Sequence, residues 1–69
     1  MRVRICWRDD NACESIHVSK NRFSMSEAKL RVKPLVADEQ IADVWVEYWP
    51  KGMYRWTCHK KYKEKGKKL

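Results

Sequence analysis

The sequence predicts an α+β fold, a small antiparallel four-stranded sheet with one short helix packed on it, and three stretches carry that prediction. Residues 41–59 concentrate β-branched and aromatic side chains around Pro50 and Gly52, as a hairpin would. Residues 2–8 alternate apolar with basic side chains at period two. Between them, Ser24-Met25-Ser26-Glu27 has the spacing of a helix capping box.

The first strand is predicted over residues 2–8, with Val3, Ile5 and Trp7 inward and Arg2, Arg4, Cys6 and Arg8 outward. Asp9-Asp10-Asn11-Ala12 follows as a polar turn whose side chains can bond their own backbone. A second strand is expected over residues 14–19, with Ile16 and Val18 inward. Next comes a helix over residues 25–33, with Met25, Ala28 and Val32 as its apolar stripe and Pro34 limiting it, because Lys33 is pushed out of helical geometry. The alternative is a fifth strand over residues 28–36, since Ala28, Leu30, Val32, Pro34 and Val36 also alternate with Lys29, Arg31, Lys33 and Leu35, and this version closes the sheet into a small all-β barrel. The closing hairpin is predicted as strands over 42–49 and 53–60. Val44, Val46 and Tyr48 share its inner face with Tyr54, Trp56 and Cys58, and Asp43, Trp45, Glu47 and Trp49 lie opposite. The expected core is Val3, Ile5, Trp7, Ile16, Val18, Val44, Val46, Tyr48, Tyr54 and Trp56.

With 69 residues the chain supports one small domain, expected over residues 1–62, in which a few large rings fill a core too small for many aliphatic residues. The formal net charge is +7, and residues 60–69 hold six lysines against Glu64, so that segment carries +5 and the other residues only +2. Residues 63–69 therefore read as a basic, flexible tail that attracts any polyanion without selecting one. Three cysteines, an N-terminus without an apolar stretch of signal-peptide type and the absence of any run of transmembrane length point to a reduced, cytoplasmic protein.

Metal binding is weighed on Cys6, Cys13, His17 and His59. Cys6 and Cys13 are too far apart for a zinc knuckle, and Cys58 and His59 are adjacent, so their side chains diverge on a strand; no metal and no cofactor is expected. The same divergence denies Cys58 and His59 a catalytic dyad. The two glycines, Gly52 and Gly66, form no phosphate-binding motif, so the chain is not expected to be an enzyme.

The leading functional expectation is a small basic nucleic-acid-binding or nucleic-acid-associated accessory protein, taking DNA or RNA. Arg2, Arg4, Arg8, Arg55, Lys60, Lys61, Lys63 and Lys65 would meet phosphates, and Trp45 and Trp49 would stack on bases. Asp43 and Glu47 oppose this, since they share that face and repel phosphate unless paired with arginines such as Arg4 or Arg55. No RNP-type submotif, GXXG loop, zinc-finger spacing or helix-turn-helix is present. The alternative is a protein-binding inhibitor or adaptor that presents Trp45 and Trp49 to a folded partner, or buries them in a homodimer.

Overall fold

The computed structural model describes residues 2–10 and 16–64. Its elements are β1 (Arg2–Asp9), β2 (Ile16–Val18), β3 (Phe23–Ser24), α1 (Met25–Ala37), β4 (Ile41–Tyr48) and β5 (Thr57–Glu64). The strands form one antiparallel sheet in the order β2-β1-β4-β5, and the two-residue β3 pairs with the start of β1. The sheet stays open, and residues 28–36 are helical, so the barrel alternative does not form.

Helix α1 starts where the capping box predicts. Ser24 is the N-cap, its Oγ accepting the Glu27 N–H at 3.3 Å, and Glu27 then holds Arg31 one turn on at 2.9 Å. It ends four residues later than predicted, running through Pro34 to Ala37. The proline forfeits a bond to the carbonyl of Leu30, but Leu30 is exposed, so water can take that carbonyl. The extra turn brings Leu35 and Val36 against the core, and the Asp38 N–H closes it on the Leu35 carbonyl.

The core lies between α1 and one sheet face. Val3 and Ile5 from β1, Ile41, Val44 and Val46 from β4 and Ala28 and Val32 from α1 are buried together, with Trp7, Phe23, Met25, Leu35, Val36, Tyr48 and Tyr62 around them. Full burial of each valine or isoleucine contributes about 1.5–3 kcal/mol.

Several expected positions are corrected. The last strand covers Thr57–Glu64 rather than 53–60, because residues 49–56 form a longer loop in which Gly52 has φ 86° and Tyr54 φ 56°. Tyr54 is consequently 82% exposed instead of core. Trp56 packs at the outer face against Arg4, Arg22 and Trp49, not among the core valines. The described part of the second strand is Ile16–Val18, and its register opposes Ile16 to Arg8 and Val18 to Cys6, which puts both apolar residues on the outer face. They are 52% and 40% exposed. In a strand of period two, this choice of register decides the face of every side chain. Cys6, expected on the solvated face, is buried. The pairing β4·β5 shifts twice, leaving Tyr62 and His59 as the extra residues of two bulges, so β5 does not alternate strictly.

Candidate functional site

Cross-strand register arranges the outer face in three rows. Ile16, Arg8, Asp43 and Glu64 form the first; Val18, Cys6, Trp45 and Lys61 the second; Arg4, Glu47 and Cys58 the third. Opposite charges thereby meet as cross-strand neighbours. Arg4 bonds Glu47 through Nε at 2.9 Å and through Nη2 at 2.8 Å, both to Oε1, while the Trp45 indole donates to Oε2 at 2.9 Å. Arg8 meets Asp43 at 3.3 Å and lies over the Trp45 ring at 5.8 Å.

Glu47 is the centre of this network. Its partial burial opposes ionisation, but the hydrogen bonds from Trp45 and Arg4 outweigh that and hold its carboxyl below its ordinary value. Beneath it, burial first and then the facing Glu47 push the Cys6 thiol up to about 12. Cys6 is thus an inert packing group, whereas Cys58 is an exposed free thiol.

The expected phosphate ligands are divided by the fold. Arg4 and Arg8 are committed to carboxylates, and the Trp45 ring is held by its own N–H and by Arg8. Lys61 pairs with Glu64 at 2.8 Å, and the Lys61 ammonium is pushed above its ordinary value by that bond. Lys63 donates to the Asp38 carbonyl at 2.8 Å, and Lys60 sits over Tyr62. Lys65 and Cys13 lie outside the described residues. His17 stacks on Trp7 and bonds Asp9 at one edge of the sheet, while His59 meets Tyr48 at the other, so the two histidines weighed for metal do not converge.

Arg2 and Arg55 belong to a different surface, the end of the sheet where β1 begins and the 49–56 loop connects β4 to β5. There Trp56 is contacted by the guanidinium carbons of Arg4 at 4.3 Å and Arg22 at 4.7 Å from its ring centre. Trp49 meets Trp56 edge-on at 5.5 Å. Arg2 donates to the Arg22 carbonyl at 3.2 Å, tying β1 to the segment before β3. Trp49, Met53 and Tyr54 project from the loop with large exposed areas. The left-handed backbone of Tyr54 is unusual for a bulky residue and costs about 1–2 kcal/mol, which makes the exposed ring a functional candidate.

Carboxylates are segregated along the strands. Asp9, Asp10, Asp38, Glu39, Asp43 and Glu64 gather at the end where β1 finishes and β4 starts. At the loop end the acidic residues among those described are Glu27 and Glu47, each paired with an arginine. Arg2, Arg22, Lys51 and Arg55 make no ion pair among the described residues. Sequence reading missed Arg22 and Trp56 as members of this surface. Arg22 fell between the expected second strand and the helix, and Trp56 was expected in the core; only the long loop and the β3 pairing bring them together.

No family model matches the chain, and no curated protein or solved structure matches it. Among the described residues no helix is long and apolar enough to cross a membrane, and no group of three or more metal-binding side chains is present.

Proposed function

We propose that the chain is a non-enzymatic nucleic-acid-binding accessory protein that takes single-stranded DNA or RNA at its loop end. The supporting observation is the coincidence, on one end of the sheet, of exposed Trp49 and Tyr54, the arginine-flanked Trp56 and the charges of Arg2, Arg22, Lys51 and Arg55, which make no ion pair among the described residues. Bases have a π-face to stack on the exposed rings, and guanidinium and ammonium groups beside those rings neutralise phosphates. Lys60, Lys61, Lys63 and Lys65 add a long-range, sequence-independent attraction. The free thiols at Cys6 and Cys58 favour a reducing compartment such as the cytoplasm.

Fluorescence anisotropy with a labelled oligo(dT) and oligo(U) of about 15 nucleotides tests this reading. The Y54A variant is expected to lose about 1–3 kcal/mol of binding through the missing stack. The K51A/R55A variant should lower the slope of log affinity against log salt by about 1.4, two phosphate contacts at roughly 0.7 each. Absence of binding by the intact chain at about 50 mM salt would end the proposal.

A second reading draws on Ile16 and Val18, which leave an apolar edge beside Trp45 and the two ion pairs. An apolar strip rimmed by opposite charges suits a folded partner or a second copy, so I16D/V18D would abolish that association and leave oligonucleotide binding intact.

A further inference from the structure

The sheet is wider than the helix that covers it. Four strands spaced about 4.8 Å apart span roughly 14 Å between the outer strand axes, whereas a helix with its side chains covers about 10–12 Å. Helix α1 buries Ala28 and Val32 against β1 and β4, and on the inner side of β5 it leaves Tyr62 half-buried and Lys60 exposed. A groove of about 510 Å³ runs there. Its floor is Val32, Val36, Ala37 and Tyr62, and its rim is Lys29, Lys33 and Lys60, with no acidic residue in the lining among the described residues.

We propose that this groove, between α1 and β5, is the docking site for an acidic amphipathic helix of a partner protein. Two helices lie side by side on a sheet at 8–10 Å, about two strand spacings, so a helix parallel or antiparallel to α1 would lie over β5. Apolar residues at i, i+3, i+4 and i+7 would meet Val36, Ala37 and Tyr62, and flanking carboxylates would meet the three lysines. Charge decides among the other occupants. A second copy offering its own α1 would bring Lys29, Arg31 and Lys33 against the same rim. Strand addition to β5 meets two bulges and a lysine-bearing edge, both of which blunt sheet extension. A nucleic acid would find the floor's one ring, Tyr62, already covered by the Lys60 ammonium at 5.2 Å. This surface is separate from the loop end, so the proposal stands or falls independently of oligonucleotide binding.

The test titrates the full chain, followed by ¹H–¹⁵N correlation spectra, with a synthetic helical peptide of about 14 residues, four turns, bearing a leucine stripe and glutamates elsewhere. Shifts are expected at Val32, Val36, Ala37, Lys60 and Tyr62, with a gain in peptide helicity on mixing. The exposed double variant K29Q/K33Q should bind at least about tenfold more weakly while its melting curve and its oligo(dT) affinity stay within error of the parent. A peptide of the same composition with the stripe scrambled should not bind; equal binding reduces the contact to net charge and overturns the proposal. So does the absence of shifts at about 1 mM peptide, an affinity too weak for recognition. Shifts confined to residues 49–56 overturn it as well. Retention on phosphatidylserine vesicles without a response to the peptide assigns the groove to lipid instead.

Discussion

Cys6 and Cys58 are the same side chain in opposite circumstances. One is buried beneath a carboxylate, with its thiol pushed up to about 12; the other stands exposed on an edge strand. In a C13S background, iodoacetamide near pH 8 should therefore add one equivalent to the folded protein, at Cys58, and a second only after denaturation, as mass spectrometry would read. Rapid double labelling of folded protein would contradict the burial of Cys6. Glu47 carries the sharper pH consequence. Its carboxyl is held below its ordinary value of 4.5, so the stability it contributes is complete above that value and is lost as pH falls through the depressed folded one. The E47Q variant should be less stable than the parent at pH 7, since Arg4 keeps no charged partner, and the gap should narrow as both are taken below pH 4.5. Thermal midpoints measured down that pH series check the sign. A constant gap would show that the Trp45–Glu47–Arg4 network does not titrate with folding.

At the scale of elements, the helix is the clearest case of competing local preferences. The capping box made its start legible, because a Ser hydroxyl reaching the N3 amide needs only the right spacing. Its end was not legible. Pro34 is a sound stop signal in isolation, but the packing of Leu35 and Val36 outweighs one missing hydrogen bond. Replacing Pro34 by Ala restores that bond to Leu30 and should raise stability by about 1–3 kcal/mol, readable as a shifted urea midpoint with unchanged slope. A destabilised P34A would mean that the proline's own ring contacts matter more than the helix ladder. The strands show the same division. Arg4, Glu47, Trp45 and Val46 fell on the faces that period two assigned them, because β1 and β4 pair in register over most of their length. The β5 boundaries escaped, since Met53-Tyr54-Arg55-Trp56 has the composition of a strand but is a loop, and the lysine-rich segment that is the strand has little β-propensity. Ile16 and Val18 escaped because their face depends on the register of a pairing whose connection, residues 11–15, carries no rule that fixes it.

For the whole molecule, stability rests on one thin layer of mostly aliphatic side chains between α1 and two strands, and Val46 sits wholly buried in it. Removal of two methyl groups there should cost about 1.5–3 kcal/mol, a large share of what so small a domain possesses. Chemical denaturation of V46A would show the midpoint fall; an unchanged curve would displace the core from where these residues put it. The candidate site was only half visible beforehand. Arg2, Arg55 and Trp49 could be picked out as basic and aromatic residues, but their association with Arg22 and Trp56 depends on the β3 pairing and on an eight-residue loop, neither of which follows from periodicity. The alternation that made Arg4 and Arg8 attractive also placed Asp43 and Glu47 opposite them, and the ion pairs that result remove both arginines from the set free to meet phosphate.

The segregation of carboxylates along the strands has a kinetic side. An eight-residue strand is about 26 Å long, more than twice the roughly 10 Å over which 0.1 M salt screens a charge, so the two ends of the sheet meet a charged partner as separate patches. Where β5 finishes, Lys61 and Lys63 stand beside Asp43 and Glu64, and Lys65, Lys67 and Lys68 follow in the sequence, so both signs of charge mix there. At the loop end Arg4 and Arg31 take up both carboxylates. A polyanion that arrives loop-first therefore meets guanidinium groups without local repulsion, and added salt should act first on the association rate constant.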